Sequence, residues 1–183
     1  MRLMIMDWKK HSDKVIAIAA TITAAVALLV AVLEVRGQQE FQKLSVEPYI
    51  ELGNSGGSSI GHYAFLMINN GLGPGIIRSG SFTVDGIEMN SWNHAVRTTT
   101  ENESLYDSTY SSIYRNRRIK ASETIEVFKI APYEGIAQEF HEAMSTGRVE
   151  YEICYCSIYE DCWRSSFKEI EFHVPVHNCE ADR

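Results

Sequence analysis

Four cysteines carry the most definite chemistry of this 183-residue sequence, and all lie late in the chain, at Cys154, Cys156, Cys162 and Cys179. Side chains alternate along a strand, so Cys154 and Cys156 are expected on one side of the same strand. Four cysteines allow three disulfide pairings. The spacing favours one bridge between Cys156 and Cys162 across a hairpin and a second that ties Cys179 to Cys154. Such bridges persist in oxidising compartments.

Two histidines near the C-terminus offer an alternative use for the cysteines. His173, His177 and Cys179 follow an H-x3-H-x-C spacing that one further cysteine could complete as a metal site. Against this reading, the upstream cysteines form CxC rather than CxxC, and Pro175 keeps the two histidines off a regular helix. We therefore expect no metal and no cofactor, and a metal-dependent envelope enzyme is the least favoured function.

Catalytic motifs are absent from the sequence. It contains no GxSxG, P-loop or HExxH pattern, and the GLGPG at residues 71–75 does not match GxGxxG. The nearest acid–base pair, Glu160 and Asp161, falls at an expected hairpin tip, where such residues are common. We therefore expect a protein that is not an enzyme.

A tyrosine repeat leads into a basic run. The residues are Tyr106, Tyr110 and Tyr114, followed by Arg115, Arg117, Arg118 and Lys120. On a helix, tyrosines four apart form one stripe beside the charges, and Tyr and Arg are enriched in binding hot spots. The same surface suits anionic headgroups or a polyanionic glycan. The simpler alternative is that the tyrosines pack on the core while the charges face solvent.

One uncharged segment determines where these residues act. Val15 to Leu33 contains 19 residues without an ionisable group, about 28 Å of helix, which nearly matches the ~30 Å hydrocarbon core of a bilayer. Basic residues cluster before it, which places the N-terminus in the cytoplasm. Its exit is a poor cleavage site, so we expect an uncleaved signal anchor. The predicted organisation is a tail at 1–14, a transmembrane helix at 15–35, a stalk at 36–47 and an extracytoplasmic domain at 48–183.

Small residues form one face of this predicted span. They are Ala20, Thr23, Ala24, Ala27 and Ala31. Small side chains let a second helix approach closely in lipid, so this face is a candidate packing surface for another membrane protein or for a second copy of the chain. The alternative is that alanine is simply common in moderately apolar spans.

Strand-like alternation dominates the remainder of the chain. We predict strands at 49–52, 62–69, 76–84, 87–89, 123–130, 148–157 and 162–174, with a flexible loop at 53–57. A helix is predicted at 134–144, a weaker one around Trp92, and an unusually long excursion at 97–120. This pattern is typical of an antiparallel immunoglobulin-like β-sandwich with one or two short helices.

These features together favour a non-catalytic, single-pass membrane protein whose outer domain docks on a membrane protein complex as an accessory subunit. The expected partners are membrane lipid and another membrane protein or a second copy, at the plasma or inner membrane. A glycan- or anion-binding domain that uses the tyrosine–basic segment is the alternative. The net charge of −7 argues against nucleic acid as a partner.

Overall fold

A computed structural model describes residues 2–100, 107–110, 115–131, 133–167 and 171–179 of the chain. It divides into two compact units, residues 1–44 and residues 45–183. We call the second unit the sheet domain.

Helix α1 (Arg2–Ser45) makes up the first unit, except for its last residue, which belongs to the second. Its part from Ser12 to Ser45 is long and apolar enough to cross a membrane, and its apolar side chains are exposed. The hydroxyls of Thr21 and Thr23 each donate to the carbonyl four residues earlier, at 2.9 Å. The two polar side chains are thereby satisfied inside the helix, as an apolar surrounding requires.

Two antiparallel sheets form most of the sheet domain. In chain order the strands are β1 (Ile50–Gly57), β2 (His62–Asn69), β3 (Gly75–Val84), β4 (Ile87–Glu88), β5 (Asp107–Tyr110), β6 (Arg118–Ile119), β7 (Thr124–Ala131), β8 (Val149–Cys156), β9 (Cys162–Ser166) and β10 (Glu171–Val176). The first sheet has the order β1-β2-β7-β5. The second has the order β10-β9-β8-β3-β4, with β6 also paired to β3. The prediction of a mainly antiparallel β domain after a long apolar helix is confirmed.

Helical segments connect the sheets where the pattern indicated them. The weaker prediction around Trp92 corresponds to α2 (Trp92–Thr100), and the stronger one to a π-helical turn (Tyr133–Ala137) continued by α3 (Gln138–Ser145). Helix α3 buries Phe140, Ala143 and Met144, three positions on one face.

One hydrophobic core is shared by both sheets. Phe65 of β2 meets Tyr151 of β8 edge to face, with ring centroids 5.1 Å apart. Trp92 stacks between Phe82 of β3 and Phe128 of β7, at 4.6 and 5.0 Å. The indole therefore joins one ring from each sheet, and the core fixes how the sheets pack.

The predicted loop at 53–57 is wrong, because these residues belong to β1. Gly53 to Gly57 pair in register with Leu66 to His62 of β2. A Cβ on Gly56 would lie 3.0 Å from Tyr63, so glycine permits the close approach of the strands there. This segment lacks alternating apolar side chains, and its backbone hydrogen bonds to β2 hold it in the sheet instead.

Two other predicted segments also differ from the structure. The single strand expected at 162–174 is two antiparallel strands, β9 and β10, with Val176 opposite Cys162. No glycine, proline or asparagine marks the change of direction, so the sequence carries no turn signal there. The excursion at 97–120 contains the end of α2, β5 and β6 in its described parts.

Candidate functional site

Five segments of the sheet domain meet at the end where the chain enters from α1, and we call this end the base. They are residues 46–49, 70–74, 115–123, 157–161 and 176–179. Strand register brings them together, because Ile50 pairs with Asn69, Gly75 with Ile119, and Cys156 with Cys162. Three exposed apolar side chains of the described sheet domain lie at this base: Leu72, Ile158 and Tyr159.

Asn69 holds three of these segments together from a fully buried position. Its side chain accepts from the amides of Tyr49 and Gly71 and donates to the carbonyls of Gly73, Ile119 and Lys120, at 2.9–3.1 Å. Buried backbone groups need such partners, and here one amide side chain supplies them. The loop between β2 and β3 is fixed against both the incoming chain and the β6–β7 turn.

The loop between β2 and β3 lies tightly against the entering chain. Gly73 and Leu72 both donate backbone hydrogen bonds to the carbonyl of Glu47. A Cβ on Gly73 would come within 1.8 Å of the Val46 carbonyl oxygen, so only glycine fits there. Leu72 is consequently held on the surface, with 74% of its area exposed.

A hydrogen-bonded chain of three side chains lies beside this loop. His173 Nε2 lies 2.6 Å from Glu47 Oε1, and His173 Nδ1 lies 3.0 Å from the Tyr155 hydroxyl. A neutral imidazole with its proton on Nε2 satisfies both contacts: it donates to Glu47 and accepts from Tyr155. The Tyr155 hydroxyl also accepts from the Ile50 amide, so β10, β8 and β1 are joined.

The backbone of His173 is unusual for a residue with a side chain. Its φ is +61°, and the pairing of β10 with β9 shifts register between Glu171 and Val174. A bulge of this kind re-aims a side chain, and the left-handed conformation costs a non-glycine residue about 1–3 kcal/mol. Trp163 stacks on the imidazole at 4.6 Å. Packing and hydrogen bonds hold this conformation in place.

Burial keeps Tyr155 in its neutral form. Desolvation raises the pKa of its phenol to about 12, although hydrogen bonds from the Ile50 amide and Ser165 act in the opposite direction. Burial also raises the pKa of Tyr151. An ordinary tyrosine is already protonated at neutral pH, and the raised pKa keeps the Tyr155 hydroxyl a hydrogen-bond donor rather than a phenolate at higher pH as well.

Replacing His173 with asparagine tests how much the side-chain contacts of His173 stabilise the domain, without changing the strain of its backbone. Asparagine tolerates positive φ, so His173→Asn removes the ring contacts without new strain. We expect the free energy of unfolding to fall by about 1–3 kcal/mol, because Glu47 and Tyr155 lose partners. Urea unfolding of the full chain in mild detergent, followed by tryptophan fluorescence, measures the change.

Two further variants control this prediction. His177 is exposed, so His177→Asn should leave the unfolding midpoint unchanged. Glu47→Gln keeps an oxygen acceptor for Nε2–H, and its cost should stay below about 1 kcal/mol for a neutral histidine. A loss in Glu47→Gln as large as that in His173→Asn would contradict the neutral tautomer.

The structure joins the four cysteines into the two pairs that the sequence favours, Cys154 with Cys179 and Cys156 with Cys162. The same bonds bear on the metal alternative. Among the described residues the one cluster with metal-like spacing is Cys156, Cys162 and Cys179, and disulfide-bonded sulfurs offer no thiolate ligand. Both ring nitrogens of His173 already have protein partners.

The predicted tyrosine–basic segment is not one helical stripe. Tyr110 lies in strand β5, so the helical interpretation is wrong for residues 107–110, whereas Tyr106 and Tyr114 lie outside the described residues. The basic residues lie at the base, where Arg115, Arg118 and Lys120 are exposed and Arg117 is partly buried. Residues 107–110 form a strand because they pair with β7, so tertiary pairing and not the local sequence pattern determines their conformation.

Arg78 connects this basic segment to the β8–β9 hairpin. Its guanidinium donates to Asn116 Oδ1 at 2.8 Å and to both carboxylate oxygens of Glu160, at 2.5 and 2.7 Å. Both contacts with Glu160 come from one guanidinium nitrogen, Nη2, while Nη1 bonds to Asn116, so the one side chain joins both segments through charge-assisted hydrogen bonds. The hairpin tip beside it exposes Ile158 and Tyr159, by 50% and 44%. No sequence signal pointed to Arg78, which lies 82 residues from Glu160.

The small-residue face of α1 is present in the helix. Ala20, Ala24, Ala27 and Ala31 fall on one side, as their spacing requires, and their side chains are exposed together with that of Thr23. The Thr23 hydroxyl bonds to the Ala19 carbonyl, so it adds little bulk and no unpaired donor to this face.

Comparison of the chain with protein-family models, with curated proteins and with solved structures finds no match. Any conclusion about function therefore rests on the residues and geometry described above.

Proposed function

We propose that this chain is a single-pass membrane-anchored interaction protein, with a cytoplasmic N-terminus and an extracytoplasmic sheet domain that docks on a membrane protein complex as an accessory subunit. The observation that carries the proposal is a helix able to span a membrane, followed after four residues by the first strand of a domain with two disulfides. The helix supplies an anchor, and the disulfides fit an oxidising compartment beyond it. The basic residues before the span favour the same orientation.

The strand order supports an immunoglobulin-like class for the sheet domain. If the seven longer strands before β10 are lettered in chain order, β1, β2, β7 and β5 become A, B, E and D, and β3, β8 and β9 become C, F and G. The immunoglobulin constant-type sandwich has sheets ABED and CFG. Here the bridge from F joins G rather than B, so a different covalent link serves this domain. Domains of this class commonly act in recognition, although fold alone does not fix function.

The base supplies the docking surface in this proposal. Leu72, Ile158 and Tyr159 expose apolar area on two neighbouring loops, and exposed arginine and lysine lie beside them. The Asn69 contacts fix the loop between β2 and β3, and the Arg78–Glu160 pair holds the β8–β9 hairpin, so little conformational entropy is lost when a partner binds. Because the chain enters the domain at this base, directly after the predicted stalk at 36–47, the partner that suits this surface is itself an integral membrane protein.

Photo-crosslinking in native membranes tests the docking surface. A photoreactive amino acid at Leu72 or Ile158 should yield one defined adduct with a heterologous membrane protein. The matched control is Ile87, which is 65% exposed at the opposite end of the domain and should yield none. Equal adducts from all three positions, or adducts with this chain alone, would contradict the accessory role.

Protease accessibility tests on which side of the membrane the sheet domain lies. Protease added outside sealed cells should remove a C-terminal tag and leave an N-terminal tag intact. Protection of the C-terminal tag would contradict the proposed orientation, and recovery of the intact chain in the soluble fraction would contradict the anchor.

A further inference from the structure

The two disulfides of the sheet domain touch each other. Cys156 Sγ lies 3.6 Å from Cys179 Sγ, and the sulfurs of Cys156, Cys162 and Cys179 all lie within 4.8 Å of one another. The β8 strand causes this contact, because Cys154 and Cys156 project from the same side and each carries one bridge. We call these four sulfurs the four-sulfur site.

The two bridges differ in their access to solvent. Cys156 and Cys162 are buried, with 1% and 9% of their area exposed, whereas Cys154 and Cys179 are partly exposed. Cys179 also lies beyond the last strand, in the C-terminal tail. An external thiol therefore reaches the Cys154–Cys179 bridge before the inner one.

We infer that the four-sulfur site is a thiol–disulfide exchange site, in which a dithiol reductant opens Cys154–Cys179 and Cys179 then exchanges with the inner bridge. The partner class is a dithiol, either a small molecule or the paired thiols of an oxidoreductase. The inference does not depend on the docking proposal, because it concerns bonds within this chain.

The chemistry proceeds in two exchanges. A thiolate of the dithiol attacks Cys154 Sγ, the Cys154–Cys179 bond breaks, and Cys179 leaves as a thiolate. The second thiol of the reductant then attacks the mixed disulfide, which releases Cys154 as a thiol and the reductant as its own disulfide. Two electrons have passed to the protein.

The second exchange is internal. The Cys179 thiolate attacks Cys156 Sγ, a Cys156–Cys179 bond forms, and the Cys156–Cys162 bond breaks. Cys162 leaves as a thiolate and takes a proton from water. The Glu160 carbonyl oxygen, 3.4 Å from Cys162 Sγ, is placed to accept the new S–H. The attacking and attacked sulfurs are already in contact. Because Cys179 Sγ also lies within 4.8 Å of Cys162 Sγ, the freed Cys179 side chain must rotate to bring its sulfur in line with the Cys156–Cys162 bond.

Single-cysteine variants of the full chain test this exchange. Cys154→Ser leaves Cys179 without its partner beside the inner bridge. After purification in detergent under oxidising conditions, alkylation and peptide mapping should find Cys156–Cys179 bonds with alkylated Cys162 in a substantial share of molecules. Cys156–Cys162 bonds alone, with alkylated Cys179, would overturn the inference.

Cys179→Ser is the matched control. It leaves Cys154 as the unpaired thiol, and in the described part of the chain Cys179 rather than Cys154 belongs to the cluster of close sulfurs. The inner bridge should then stay whole and Cys154 should be alkylated. Equal exchange in both variants would show nonspecific scrambling and overturn the inference.

The wild-type chain gives a second readout that does not depend on how the variants fold. One equivalent of dithiothreitol, followed by an acid quench and alkylation, should label Cys154 and Cys162. Labelling of Cys154 with Cys179 would show that the outer bridge opens without internal exchange, and would overturn the inference.

Discussion

Replacement of Asn69 by alanine is expected to lower the free energy of unfolding of the sheet domain by about 3–5 kcal/mol. The change removes five hydrogen-bonding contacts from a fully buried position. Each buried donor or acceptor left without a partner costs about 1–3 kcal/mol, and water admitted to the cavity restores part of the loss. The urea midpoint of the full chain in mild detergent should fall by about 1–3 M.

The neighbouring asparagine provides the control for this prediction. Asn70 is exposed, and its side chain donates to Glu51 Oε2 at the surface, so Asn70→Ala should cost less than about 1 kcal/mol. Asn69→Asp keeps an oxygen for Tyr49 and Gly71 but turns a second oxygen toward three carbonyls. It should therefore cost at least as much as Asn69→Ala. An Asn69→Ala chain as stable as Asn70→Ala would show that the base does not depend on this side chain.

The sequence predicted best the strands that are rich in apolar residues or that alternate between buried and exposed side chains. Strand β2 has the predicted bounds, 62–69, and most of its residues are buried. In β7, Thr124 and Glu126 are exposed while Ile125 and Val127 are buried, and this alternation is what the pattern detects. The glycine-rich half of β1 has no such signal, because its order comes from pairing with β2. Local chemistry is readable from sequence, whereas partner-dependent structure is not.

The contacts that fix the base were beyond sequence reasoning for a related reason. Glu47 and His173 are 126 residues apart, and no local sequence pattern marks either residue as the partner of the other. Asn69 is different, because its position at the end of an apolar strand is visible in the sequence. A polar side chain buried at such a position needs several hydrogen-bond partners. The cysteines were predictable because covalent geometry limits the pairs that a hairpin can make.

Removal of the Cys154–Cys179 bridge is the other prediction with a large expected effect. The bridge closes a loop with a sequence separation of 25, and the Cys156–Cys162 bridge one of 6. In the loop-entropy model, removal of the longer bridge costs about 3.5 kcal/mol and removal of the shorter about 2 kcal/mol. Double serine variants, Cys154→Ser/Cys179→Ser and Cys156→Ser/Cys162→Ser, remove each bridge and leave no unpaired thiol.

Urea unfolding of both double variants, measured beside the wild-type chain in the same detergent, should show the larger loss for Cys154→Ser/Cys179→Ser. The ranking of the two variants matters more than either free energy. Each variant loses two sulfur atoms, so the main difference between them lies in the length of chain that the missing bridge constrains. Loop length acts through the unfolded state, so the two variants should also be less compact when unfolded, and Cys154→Ser/Cys179→Ser the less compact of the two. A greater loss for Cys156→Ser/Cys162→Ser would mean that packing of the buried bridge against β8 and β9 outweighs loop entropy in this domain.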